Sequence, residues 1–216
     1  MPSVHSLALQ EQFDTAEQQR DASNLGMWIF LATEVLFFGG LLLAYSVYRS
    51  MYFPAFAEAS KQLDVVLGSL NTAVLLCSSL TMAIAVHQAE SGHVKWLVRF
   101  LGLTMLLGTV FLAIKFYEYY EKYREGLIPG AHFTWHSNDP GHASLFFIAY
   151  FILTGMHALH MIIGIGLMGI LAMLARRGRF TRAYYTPVEL GGLYWHFVDV
   201  VWVFLFPLLY LVHRSS

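Results

Sequence analysis

Charge is scarce in this chain: Asp, Glu, Lys and Arg together make up 12% of 216 residues, and their signs nearly cancel to a net −1. So few charges cannot cover the surface of a water-soluble domain, and without a basic stripe there is no electrostatic footprint for nucleic acid. Cysteine occurs once, at Cys77, which excludes an intramolecular disulfide and a thiolate cluster. Residues 1–23 form a polar segment with Glu11, Asp14, Glu17 and Asp21 against Arg20, and contain no apolar core or small-residue cleavage site of a secretory signal. The first long apolar run is therefore expected to direct insertion itself. Leu9, Phe13 and Ala16 fall at helical spacing, but disorder is the reading taken for this segment, ahead of a weakly amphipathic helix on the membrane surface.

Apolar side chains are plentiful, at 57% of the chain with 16% aromatic. Five stretches are long enough to span a bilayer, at about 24–48, 65–87, 96–120, 143–174 and 188–212. The runs are continuous, whereas a barrel strand would alternate over about ten residues. The fold class expected is all-α: one polytopic membrane domain over 24–212, a bundle of five transmembrane helices, with a tail at 213–216. The linkers, such as 54–64, 126–141 and 176–187, hold Pro, Gly and most of the charge and are too short to fold alone.

With five spans, the N-terminus shares a side with the loops around 88–99 and 175–187. That side holds Arg20, Lys95, Arg99, Arg176, Arg177, Arg179 and Arg182, against Arg49, Lys61, Lys122, Arg124 and Arg214 on the other. Four of the first group crowd into one loop beside membrane ends, so the N-terminus is expected inside and the C-terminus outside.

Ionisable residues inside spans are the functional candidates. Glu34 lies about ten residues into the first apolar run, and Phe30, Leu31, Phe37 and Phe38 occupy the neighbouring positions of its own helix. It must be protonated or find a partner on another helix, and a carboxyl so placed can relay protons. A role in proton handling or polar lipid contact stands beside a purely structural hydrogen bond. His157 and His160 share a face of the fourth span, continued by Thr154 and Gly164. Glu189, Gly192, His196, Asp199 and Val203 share a face of the fifth. At about 1.5 Å per residue from the inner helix ends, Glu34, Asp199 and His160 lie at depths that allow mutual contact.

Imidazole is the commonest transition-metal ligand, so metal or haem ligation by His157, His160 and His196 is one reading. Interhelical hydrogen bonding is the reading taken, with Asp199 as the ready partner of His196. Lys115 and Glu118 are spaced to pair, as an interfacial ion pair that fixes helix depth. His132, His136, Asp139 and His142 in the next loop are spaced for a surface metal site, but define no geometry. Trp28, Trp195 and Trp202 read as interface anchors and packing.

Three segments carry a family resemblance: Gly26 to Gly40 (GMWIFLATEVLFFGG), Thr154 to His160 (TGMHALH) and Tyr194 to Trp202 (YWHFVDVVW). In content and order they resemble subunit III of haem–copper terminal oxidases, over about 24–210. The stretch Lys115 to Tyr119 (KFYEY), followed by Gly126 and Pro129–Gly130, resembles that family's approach to its outer loop. The resemblance implies an accessory, multi-pass subunit of a bacterial inner-membrane cytochrome c oxidase, serving aerobic respiratory electron transport. It implies no redox metal in this chain: haem and copper sit in the partner subunit I, with subunit II and other respiratory subunits also in the complex. Glu34 matches the family's intramembrane carboxylate, while His157, His160, His196 and Asp199 map onto positions of mainly structural role. The family role is to stabilise subunit I, to sustain its proton uptake and to hold phospholipid. The mitochondrial form has seven helices; this chain starts at what corresponds to the third and reads as the short bacterial form, without the pair that forms one wall of the lipid cleft.

Quinol oxidase subunit III and the accessory subunit of nitric oxide reductase share these motifs. A secondary transporter coupled to protons through Glu34 and the histidines is the reading from another class. No inverted repeat and no Gly/Pro-broken helices support it.

Overall fold

The computed structural model describes residues 12–130, 133, 135, 139–182 and 184–212. Among them are six helices: α1 (Ala16–Met51), α2 (Phe53–Ser60), α3 (Val65–Glu90), α4 (Val94–Arg124), α5 (Pro140–Arg176) and α6 (Thr186–Tyr210). No strand is present among the described residues, the only pairing outside helices being an isolated bridge between Thr181 and Tyr184. All but α2 are long and apolar enough to cross a membrane.

Local chemistry sets the helix ends beyond the apolar runs. Thr15 caps α1 by accepting from the Gln18 N–H, and Asp64 caps α3 by accepting from the Val66 and Leu67 N–H groups. Pro140 and Pro187 sit in the first turns of α5 and α6, where a missing N–H costs nothing. Helices α3 and α5 stop at Gly92 and Gly178, whose φ values of 77° and 69° let the next amide reach back to a carbonyl of the last turn.

Two expectations are corrected here. Residues 16–23 are helical: the Thr15 cap and an ion pair from Arg20 to Glu189 at 3.3 Å hold a polar extension of α1. The linker 54–64 contains α2, started by Pro54 and buried through Ala55, Phe56, Ala59 and Ser60. Residues 1–11, including Leu9, and the 213–216 tail lie outside the described residues.

In the bundle, α3 packs on α4 and α6, and α5 packs on α4 and α6, giving a four-helix core. Helix α2 lies against α5, while α1 touches only α5, α6 and α2 among the helices with substantial contact. The outer surface is apolar: Val66, Leu36 and Leu43 are more than 60% exposed, as a lipid-facing surface requires.

Trp195 keys this core. Its indole is fully buried between α4 and α5, and donates through Nε1 to Ser78 Oγ of α3 at 3.2 Å. The close approach depends on two glycines: a Cβ on Gly108 would stand 2.8 Å from the Trp195 ring, and one on Gly164 would stand 2.9 Å from it. Small residues at such crossings let membrane helices pack closely. Gly164→Val should lower stability by about 1–3 kcal/mol through overpacking. Unfolding of the purified chain in mixed micelles would read it; an unchanged midpoint would mean that the ring can move aside.

Candidate functional site

Glu34 meets a partner from another helix. Its Oε2 lies 3.2 Å from His160 Nε2, joining α1 to α5. The other ring nitrogen, Nδ1, lies 2.8 Å from the Met156 carbonyl oxygen. A carbonyl can only accept, so Nδ1 carries a proton and the tautomer is fixed. Nε2 then has two states: neutral, accepting from a protonated Glu34, or protonated and donating to a Glu34 carboxylate. The 3.2 Å separation accommodates either arrangement. Phe38 stands edge-on to His160 with ring centroids 5.2 Å apart, and Tyr194 donates to the His160 carbonyl at 3.1 Å. The pair's side chains remain 20% and 11% exposed, so the site is open at its edge.

Lys115 and Glu118 do pair, and they do so inside the bundle, where both are 2% exposed. Lys115 Nζ donates to Glu118 Oε2 at 3.1 Å, to Tyr150 Oη at 3.0 Å and to Tyr210 Oη at 2.8 Å, which uses its three protons. Tyr150 donates to Glu118 Oε1 at 2.8 Å, and Tyr210 donates to the same carboxylate at 2.6 Å. The ammonium also sits 5.2 Å from the centroid of the Trp202 ring. This quartet joins α4, α5 and α6. Beside it, Thr154 donates to the Tyr150 carbonyl and so must accept from Tyr119, each at 2.6 Å. Every donor of the quartet has an acceptor within it, so the cluster is closed.

The expected pairing of His196 with Asp199 is not the close contact. Their nearest atoms are 3.9 Å apart, whereas Ser79 Oγ of α3 lies 2.8 Å from His196 Nδ1. Both Asp199 oxygens are buried without a partner at hydrogen-bond distance. His157 likewise departs from the expected hydrogen-bonded packing: neither ring nitrogen has a partner, and the ring sits between Phe111 and Trp202, with centroids at 5.4 and 5.0 Å. The depths estimated for Glu34, Asp199 and His160 bring together Glu34 and His160.

Trp202 is fully buried and donates to Thr72, whereas Trp28 is largely exposed. Among the described residues, no three His, Cys, Asp or Glu side chains gather as a metal site. Of the proposed loop site, His132 and His136 lie outside the described residues. His142 donates from Nδ1 to Asp139 at 2.6 Å and stacks on Tyr52. That bond holds the Asp139 carboxyl below the ordinary carboxylate range.

The sequence reading missed Tyr150, Tyr210, Tyr119 and Ser79. The available signal for the tyrosines was three hydroxyls within apolar runs that had to be satisfied somewhere.

Glu34, Lys115, Glu118, His157, His160, His196 and Asp199 fall within the motif segments, and the family model described as cytochrome c oxidase subunit III matches residues 9–213. The chain belongs to the cytochrome c oxidase subunit III family. It is similar to cytochrome c oxidase subunit 3 of Thermostichus vulcanus, with 31% identity over 93% of this chain and 92% of the relative. The corresponding protein of Synechocystis sp. is 36% identical over 89% of this chain and 76% of its own length. Quinol oxidase subunit 3 of Bacillus subtilis is 33% identical over 87% of this chain and 86% of the relative.

Breaking the closed quartet should be costly. Lys115→Met strands the Glu118 carboxylate and should destabilise the bundle by about 3–5 kcal/mol, while Lys115→Met with Glu118→Leu should recover much of that loss. Detergent unfolding of both single variants and the double variant measures the coupling; a double loss equal to the sum of the single losses would show that the two charges do not depend on each other.

Proposed function

We propose that this chain is the accessory third subunit of a proton-pumping haem–copper terminal oxidase of the bacterial inner membrane. It packs beside subunit I, with subunit II and further respiratory subunits in the same complex, and carries no redox centre of its own. Relatives named for cytochrome c and for quinol oxidases match at similar identity. The cytochrome c type is the reading carried forward, on the Glu at position 34 and the long outer loop.

The observation that carries this reading is the Glu34–His160 pair: a carboxylate and an imidazole inside the membrane domain, 3.2 Å apart at an open edge. Such a pair is suited to proton handling beside a catalytic subunit and to polar lipid contact. The histidines do not fit a haem or copper ligand set, since His160 and His196 are engaged with Glu34 and Ser79, and His157 is enclosed by aromatic rings. That supports redox chemistry residing in subunit I, where electrons convert oxygen to water. Stabilisation of subunit I is the role that membership of the family supports. The excess of Lys and Arg on one side supports an inward N-terminus and an outward C-terminus.

The experiment is to isolate the chain by a C-terminal tag from gently solubilised native membranes, then record the reduced-minus-oxidised spectrum and identify the partners. Co-purification with a large haem-bearing, oxygen-reducing subunit is expected. A nitric oxide reductase partner, or a chain isolated alone without haem, would overturn the proposal. In the intact complex, Glu34→Gln should leave assembly in place and reduce proton-dependent turnover or its durability. Unchanged turnover and durability at every pH would remove Glu34 from that role.

A further inference from the structure

Asp199 stands on α6 with both carboxyl oxygens buried and no hydrogen-bond partner at either, its side chain 4% exposed. Glu118 shows what an ionised acid requires inside this bundle: its two oxygens accept from Lys115, Tyr150 and Tyr210. Asp199 has no such set. It faces the Ser79 hydroxyl across the seam between α3 and α6, and neither of these helices contains a lysine or an arginine. The seam is otherwise apolar, with Leu75 and Met82 of α3 and Val198 and Trp202 of α6 all buried.

The bases of the surrounding helices are committed elsewhere. Lys115 of α4 spends its protons within the quartet, and Lys122 pairs with Glu125 at 2.6 Å. Arg20 of α1 pairs with Glu189, and His160 of α5 faces Glu34. His157 of α5 lies between the Phe111 and Trp202 rings. His87 of α3 is eight residues from Ser79, about 12 Å along the axis. The remaining bases stand at the helix ends. On α6 itself the one base is His196, whose Nδ1 is 3.9 Å from Asp199 Oδ2 and already 2.8 Å from Ser79 Oγ. An ion pair across that gap would leave both carboxylate oxygens without a donor, and a buried charge so placed carries its full desolvation cost.

We propose that Asp199 is a proton-binding site, which the folded subunit holds as a neutral carboxylic acid at neutral pH. The proton is taken up as the chain folds, since a free aspartate is ionised there. The acid's hydroxyl is directed to Ser79, Ser79 donates to His196 Nδ1, and the imidazole keeps its own proton on Nε2. In that order each proton is used once, and α3 and α6 are joined without a charge in the seam. The folded state then binds one proton that the unfolded chain has released. The resulting stabilisation is full below the ordinary aspartate range and declines as pH rises, until the folded acid itself ionises. The assignment is independent of the electron donor.

The test compares infrared spectra of the intact complex with those of its Asp199→Asn variant, in H2O and in D2O. The C=O band of a protonated carboxylic acid, shifted by D2O, is expected in the unaltered complex and lost in the variant. The amide reproduces the shape of the neutral acid, so the variant should keep this subunit in the complex at neutral pH. Ser79→Ala should keep the band and move it to the higher frequency of an acid without an acceptor. As pH is raised, the Asn variant should hold the subunit to a higher pH than the unaltered complex, read by native mass spectrometry. No band lost with Asp199→Asn, a band unmoved by Ser79→Ala, or release of the subunit at the same pH from both complexes would each overturn the proposal. So would an Asn variant that loses the subunit at neutral pH, because the negative charge would then be required.

Discussion

In hydrocarbon, a lysine and a glutamate persist only where every donor and acceptor is answered within the protein, and the Lys115–Glu118–Tyr150–Tyr210 quartet meets that demand. Lys115 and Glu118 come from α4, Tyr150 from α5 and Tyr210 from the last turn of α6. No two of these helices can slide without stranding a charge, so the quartet fixes their relative depth. Trp195 fixes their spacing further along, between the glycines of α4 and α5, and the tie to Ser78 extends the constraint to α3. The four-helix core follows from two polar and aromatic keys, with aliphatic packing filling the space between them.

The two intramembrane acid–base pairs differ in a way that separates structure from chemistry. In the quartet, the lysine spends all three protons and each tyrosine both gives and takes a hydrogen bond. A proton has nowhere to go without breaking a bond that holds the bundle together. Glu34 and His160 face each other across 3.2 Å, the imidazole is oriented by the Met156 carbonyl, and the carboxyl is partly exposed. The two pairs therefore differ in whether the hydrogen-bond network around them is complete.

The spans were legible because each apolar run is long, continuous and bounded by turn chemistry. Their ends were less so: the first turns of α1 are polar, and the Thr15 cap and the contact with Glu189 hold them helical. Helix α2 is too short for periodicity to reveal. Glu34 announced itself by rarity, but its partner lies 126 residues away, and Asp199, at a depth that also allowed contact, was another candidate. Tyr150 and Tyr210 are 35 and 95 residues from Lys115 and read locally as aromatic packing. The spacing of His196 and Asp199 was correct for contact along one helix, yet a serine from α3 stands closer to the ring, which helical spacing cannot express.

Helix α1 lies outside the four-helix core and is held at discrete depths. Near its start Arg20 pairs with Glu189, midway Glu34 meets His160, and near its end Tyr45 donates to the Leu208 carbonyl at 2.6 Å. That last acceptor adjoins Pro207, a position where the helical ladder of α6 is already interrupted. Between these points α1 is mostly exposed apolar surface, so its attachment rests on a few polar contacts more than on buried area. Glu34 is then a tether, and the carboxyl is the group through which the proposed proton handling would act. An amide in its place can still donate to His160 Nε2, keeping the tether while removing the transferable proton, whereas an apolar residue would remove both. Chemistry and attachment at this position are therefore separable by the choice of substituent.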